Sequence, residues 1–274
     1  MRFILELVLI SISVIIVDMN FSGELKKIDG LKAEIDTLGP LDPALLKNLD
    51  DWYRVELTYT SNAIEGNTLT RQETAQVIEK DISVEGKTLN ELLEAKNHSQ
   101  AVDFVVDFAR KNKARAPVSL PVILDVHKLI LQKIDETNAS RLRIVPVRVA
   151  GSKTIFPNPV KVPDVMEELI TWLAKNHSHS ATKAIEVHYR LVSIHPFTDG
   201  NGRVARLLMN LVLLQNNFPP LVVPKESRRP YITSLEKGQT IGNTDDYYKF
   251  MYQQLIISME QYLEMVREKR FSQF

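Results

Sequence analysis

The chain contains no cysteine, which removes disulfides, thiolate metal sites and cysteine nucleophiles together and fits a reducing compartment. It carries no excess of either charge: 34 lysines and arginines balance 34 aspartates and glutamates. No global field therefore draws it to nucleic acid or to a membrane, and a polyanion site would have to be a local patch. No Gly-x-x-x-x-Gly-Lys phosphate loop occurs, so a bound nucleotide must be held by other means. Internal repeats and low-complexity runs are lacking too. What remains is a chain of 274 residues, long enough for one large domain or two small ones.

The densest signal is Ser193-Ile-His-Pro-Phe-Thr-Asp-Gly-Asn-Gly-Arg-Val-Ala-Arg206. An apolar helical pattern (Ile185, Val187, Leu191, Ile194) enters it, and another (Val204, Leu207, Leu208, Leu211, Leu214) leaves it. Pro196 cannot continue a helix, and Gly200 and Gly202 allow backbone angles that other residues resist. The stretch reads as a tight loop ending on the N-terminus of a buried helix, where unpaired N–H groups and a partial positive charge favour an anion. Arg203 and Arg206 add fixed cations that match phosphate. Asp199 is a carboxylate suited to a phosphate-bound Mg2+, and His195 is a base that titrates near neutrality. A packing histidine and a glycine turn explain parts of this set, but neither needs an acid and two arginines beside it. Together the residues describe phosphoryl or nucleotidyl transfer.

Upstream, residues 3–17 form an apolar run. As a helix it would span about 22 Å, short of the ~30 Å hydrocarbon core, and Glu6 makes spanning costlier. Three readings stay open: a membrane anchor, a segment packed on the domain or on a second copy, or an upstream start codon. Apolar spacings of three and four predict helices over 24–38 and 45–64. The second ends in Ser61-Asn-Ala-Ile-Glu-Gly-Asn67, with Gly66 as a left-handed cap. Glu65 thus sits on a last turn, where the helix dipole disfavours an anion by about 0.3–1 kcal/mol; a cation from elsewhere would relieve it. Thr70-Arg-Gln-Glu73 and Thr88-Leu-Asn-Glu91 are capping boxes that open two further helices. Further helices are expected from Ser119, from Pro163 and from Asp245. The clearest β signal is residues 143–157, whose β-branched residues flank Ala150-Gly-Ser-Lys153 like the arms of a hairpin. His177 and His179 stand in a polar loop with no third ligand nearby.

Residues 195–206 resemble the full signature of the Fic domain, His-x-Phe-x-(Asp/Glu)-Gly-Asn-Gly-Arg-x-x-Arg, at every specified position. Ser61-x-x-x-Glu65-Gly66 is similar to the (Ser/Thr)-x-x-x-Glu-(Gly/Asn) inhibitory motif of the class whose inhibitory helix precedes the core. The resemblance covers residues 40–265 and implies a mainly α-helical Fic fold with a β-hairpin flap next to the catalytic loop. Residues 1–22 then form an extension of unknown role, 23–110 a helical region with the inhibitory helix, and 111–274 the core.

The activity implied is transfer of AMP from ATP to a Ser, Thr or Tyr hydroxyl of a target protein. In that scheme His195 is the general base and Asp199 the Mg2+ ligand. The Gly200, Asn201 and Gly202 backbone, with the Asn201 side chain, cradles phosphate oxygens beside Arg203. Arg206 holds the γ-phosphate, Tyr231 lies against the adenine, and Phe197 is a buried anchor. Gly151, Ser152, Lys153, Thr154 and Ile155 form the flap that holds the target's chain by backbone contacts, although Ser140 stands where the family often has glycine. Glu65 paired with Arg206 would silence the enzyme. Three alternatives stay beside this one: Glu65-dependent removal of AMP, phosphate transfer of the Doc type, which the intact residues 200–203 disfavour, and an idle binding module. The partners implied are ATP and a protein target, with a homodimer left open and no nucleic acid. A cytoplasmic location is expected, with membrane association through residues 3–17 as the alternative.

Overall fold

The computed structural model describes residues 17–112 and 118–268; nearly all of the apolar run at 3–17 lies outside them. The helices run α1 (Ser22–Thr37), α2 (Pro43–Ile64), α3 (Arg71–Lys80), α4 (Leu89–Lys111), α5 (Leu120–Leu131), α6 (Val162–Lys175), α7 (Ser180–Ile194), α8 (Asn201–Gln215), α9 (Arg228–Ile241) and α10 (Asp245–Glu268). Both capping boxes form: Thr70 and Thr88 accept from the backbone of Glu73 and Glu91, whose side chains reach back to the cap backbone. Asp42 caps α2, with Pro43 pre-set at its first position. His179 caps α7 through Nδ1, which accepts from the Ala181 N–H at 3.1 Å, so this histidine has a structural task.

The apolar residues of α8 lie on all its faces, and a helix of that kind must be enclosed. It is packed by α7, α4 and α5, and by the end of α2. Helices from both sides of the line at 110/111 share one hydrophobic core. Arg203, Arg206 and Asn210 are buried with the apolar residues of α8, so each needs a fixed partner.

Residues 143–157 turn at Ala150 and Gly151, where expected; Gly151 has φ +78°, and Ser152 N–H closes the turn onto Val149 O at 3.1 Å. The arms form no strand ladder among the described residues, and the first bends at Ile144 and Val145. Their polar groups are spent elsewhere. Arg143 N–H bonds Pro196 O at 2.9 Å, Ser152 Oγ and Lys153 N–H bond Glu236 Oε1 at 3.0 and 2.8 Å, and Thr154 Oγ1 bonds Gln239 at 3.0 Å. Residues 143–157 are therefore pinned to the loop between α7 and α8 at their base and to α9 at their tip.

Candidate active site

The loop between α7 and α8 is bounded by two left-handed residues, His195 (φ 51°) and Gly200 (φ 78°). Phe197 is fully buried beneath it and stacks on His127 at 3.7 Å. The Asn201 side chain closes the loop: Oδ1 accepts from Phe197 N–H and Nδ2 donates to Phe197 O, both at 2.9 Å. Asn201 is 3% exposed and both of its polar atoms bond Phe197, so its side chain staples the loop, with one Nδ2 hydrogen beyond that pair. Beneath the loop, His127 Nδ1 accepts from Ser140 N–H at 3.1 Å. The ring proton is therefore on Nε2, which donates to Asp199 O at 3.2 Å. Burial pushes His127 down to about 4, so it stays a neutral strut. Ser140 has φ +62°, the conformation for which glycine is favoured.

Arg143, 3% exposed, spans the loop from the other side. Its Nε donates to His195 O at 2.7 Å, one Nη to Pro157 O at 2.7 Å and the other to Val145 O at 3.1 Å. It thereby joins the base of the flap to the residue expected to act as the base. His195 Nδ1–H donates to Val192 O at 3.3 Å, which leaves the Nε2 lone pair free. Its ring stacks on Phe156 at 4.2 Å. Burial lowers its pKa below the ordinary histidine value, so the ring is neutral at pH 7.

Both arginines of the motif are buried and paired. Arg206 donates to Glu65 Oε1 at 2.6 Å, to Ser61 Oγ at 2.9 Å and to Ser61 O at 3.0 Å. A Cβ at Gly202 would overlap Glu65 Oε1, so the glycine lets the carboxylate lie on the first turn of α8. Glu65 thus occupies an anion position at a helix N-terminus. Arg203 donates to Asp199 Oδ2 at 3.0 Å and to Glu94 Oε1 at 3.1 Å. Asp199 Oδ1 accepts from Gly200 N–H at 2.6 Å, yet its side chain remains 63% exposed.

The structure thus brings together His195, Asp199, Gly200, Gly202, Arg203 and Arg206 with Ser61 and Glu65. Gly66, with φ +104°, ends the turn behind them. Tyr231 lies behind them, its hydroxyl beside the buried Arg206 guanidinium. It is 1% exposed, and its hydroxyl donates to His188 Nε2 at 2.7 Å, while His188 Nδ1–H donates to Tyr247 at 2.7 Å. An aromatic ring enclosed in the core cannot offer a face to adenine, which corrects that expectation. Sequence reasoning missed the roles of His127 and Glu94, and named Arg143 only as the start of the flap.

Residues 117–213 match the model of the Fic/DOC family. The chain is 31% identical over 210 residues to protein adenylyltransferase fic-1 of Caenorhabditis elegans, covering 75% of this chain and 40% of that protein. It is 33% identical over 197 residues to protein adenylyltransferase Fic of Drosophila virilis, covering 70% and 39%. It therefore spans about two fifths of the length of these curated relatives. Among solved structures, a Fic domain containing signaling protein from Bacteroides thetaiotaomicron superposes with a TM-score of 0.80 at 26% identity, over 90% of this chain and all of that one. Fic-1 from C. elegans superposes with a TM-score of 0.78 at 28% identity, over 91% and 73%. No helix among the described residues is long and apolar enough to cross a membrane.

Proposed function

Because the chain carries a Fic domain, we propose that it transfers AMP from ATP to a side-chain hydroxyl of a target protein. The observation that carries this reading is the free Nε2 of His195 beside the N-terminus of α8, where Asp199, Gly200 and the two arginines converge. His195 Nε2 takes the proton of the target hydroxyl as its oxygen attacks the α-phosphorus. The bond from the α-phosphorus to the bridging oxygen breaks, and pyrophosphate leaves. The first N–H groups of α8 receive phosphate oxygens, and Arg203 adds charge beside them. Catalysis of this kind rests on placement and on fixed charge.

Asp199 fits a Mg2+ ion. It offers one hard oxygen ligand on a largely exposed side chain, and no cluster of three ligating side chains occurs among the described residues. A cation that brings phosphate oxygens as its other ligands suits such a donor set. When bound, it neutralises charge on the phosphates.

Glu65 is the inhibitor in this reading. Its carboxylate takes the place of an anion on α8 and occupies Arg206, which would otherwise hold the γ-phosphate. The flap is the docking site for the target chain: Ile144 and Ile155 are 88% and 93% exposed, and the backbone of 152–157 is in no helix or ladder, so a strand can be added there. A second reading, removal of AMP by a Glu65-aligned water, rests on the 38% exposure of that side chain, which pairs with Arg206 and still meets solvent.

The test is mass spectrometry of proteins incubated with ATP and the Glu65→Gly variant. A gain of AMP on Ser, Thr or Tyr is expected. A gain of phosphate alone, or no gain, contradicts the reading, while loss of AMP from a premodified protein with the native chain supports the second.

A further inference from the structure

Glu94 lies outside every motif read from the sequence, yet it sits between the two halves of the site. Its Oε1 accepts from Arg203 Nη1 at 3.1 Å, and its Oε2 accepts from Asn67 Nδ2 at 2.9 Å. Asn67 closes the turn that presents Glu65. Its N–H bonds Asn62 O at 3.0 Å, its Nδ2 also reaches Glu91 O at 3.0 Å, and its Oδ1 accepts from Leu69 N–H at 3.0 Å. That turn is therefore fixed, and Glu94 is fixed to it. On the other side stands Arg203, whose side chain is 4% exposed.

A guanidinium so buried needs a permanent counter-charge. Arg203 has two candidates, Asp199 at 3.0 Å and Glu94 at 3.1 Å, and they differ in what else they can do. Asp199 is the exposed member, with a side chain 63% open against 24% for Glu94. If Asp199 turns to a cation on incoming phosphates, its pairing with Arg203 weakens. Without Glu94, Arg203 would then be left unpaired, or would compete with the cation for the same oxygen.

We propose that Glu94 is a positioning residue: by holding Arg203 from the turn that carries Glu65, it frees Asp199 to bind Mg2+. This rests on the assignment of Asp199 as the metal ligand. It also accounts for an acidic side chain beside a site that must bind a polyanion, where a carboxylate without a fixed cation would repel the substrate.

Glu94→Gln removes the charge with little change of shape and throws Arg203 onto Asp199. The experiment is calorimetry of a non-hydrolysable ATP analogue across a Mg2+ series, in the Glu65→Gly background so that inhibition does not mask binding. The half-saturating Mg2+ concentration should rise about fivefold or more in Glu94→Gln, a coupling within the range found for residues of one charged network. Affinity measured without Mg2+ should stay within about twofold. Glu94→Asp keeps the charge at longer reach, so its rise should be smaller, about two- to threefold. It carries the test if Glu94→Gln has no cooperative thermal transition. A purely steric role would leave Glu94→Gln near the parent and make Glu94→Asp the worse variant, an order that overturns the proposal. An unchanged Mg2+ requirement in both, with Mg2+-dependent binding intact in the parent, overturns the role of Glu94. Absence of any Mg2+ dependence in the parent overturns the assignment of Asp199, and the proposal with it.

Discussion

Arg228 Nε donates to the carbonyl oxygen of Ile64 at 2.6 Å, one residue before Glu65. The last carbonyls of a helix have no partner within it, and they carry the negative end of the dipole. Arg228 stands at the start of α9, so it ties the turn that carries Glu65 to the core by a charged bond. Arg228→Ala should loosen that turn and populate the uninhibited state. At about 1 kcal/mol for a partly exposed charged bond, auto-modification with radiolabelled ATP should rise about fivefold. Labelling no higher than the native chain would mean that Glu65 is held without Arg228.

The pH dependence follows from His195. Its burial favours the neutral ring, and its pKa lies below the ordinary value of 6.5. A base acts in its unprotonated form, so the rate tracks the neutral fraction, which is already high at pH 7 and falls only in acid. The kcat/KM of Glu65→Gly should reach half its plateau at a pH below 6.5. A half-maximal rate at or above the ordinary histidine value would contradict His195 as a base in this environment.

Arg143 reaches His195 O, Pro157 O and Val145 O at once. A lysine keeps the charge but lacks the fork that meets several carbonyls. Arg143→Lys should therefore displace the base by a fraction of an ångström and lower transfer about 10- to 100-fold. Nucleotide affinity by calorimetry should change little. An equal loss in affinity would place Arg143 in nucleotide binding.

Asn201 makes both of its bonds to the backbone of Phe197. Asn201→Ala leaves a buried N–H and a buried carbonyl without partners, at about 2–3 kcal/mol, and should lower the thermal midpoint by several degrees. If the side chain instead served phosphate alone, affinity for ATP would drop while the melting curve stayed in place.

The parts of this molecule legible from sequence are those where local chemistry decides. The two capping boxes, the prolines at helix starts and the run from His195 to Arg206 each act over a few neighbouring residues, and they stand where expected. The pairing of Glu65 with Arg206 was legible through the resemblance of Ser61-x-x-x-Glu65-Gly66 to the inhibitory motif; the helix dipole alone fits a solvated surface glutamate as well. Glu94 was not, since its place opposite Arg203 is set by how α4 crosses α8, and in sequence it resembles any surface glutamate. His127 and Arg143 were hidden likewise, because a strut acts on backbone atoms that leave no trace in residue type. Tyr231 misled because its place came from the resemblance alone, and an aromatic residue reads the same in sequence whether it faces a ligand or the core. The arms of residues 143–157 have strand-like composition, but their hydrogen bonds go to Glu236, Gln239 and the catalytic loop. The alternation of residue types does not record that choice.

The central claim is that Glu65 holds Arg206 away from ATP. Arg206 is the shared term: it pairs with Glu65 at 2.6 Å across 141 positions of chain, and it is also the expected γ-phosphate ligand. Removing either partner breaks the same contact, yet the outcomes should be opposite. Glu65→Gly frees the arginine for nucleotide, while Arg206→Ala removes the ligand and leaves the carboxylate unpaired. The measurement is auto-modification with radiolabelled ATP in the two single variants and the double. The account predicts Glu65→Gly well above the native chain, Arg206→Ala at or below it, and the double variant no better than Arg206→Ala. Glu65→Gly labelling no more strongly than the native chain while still binding ATP would contradict it.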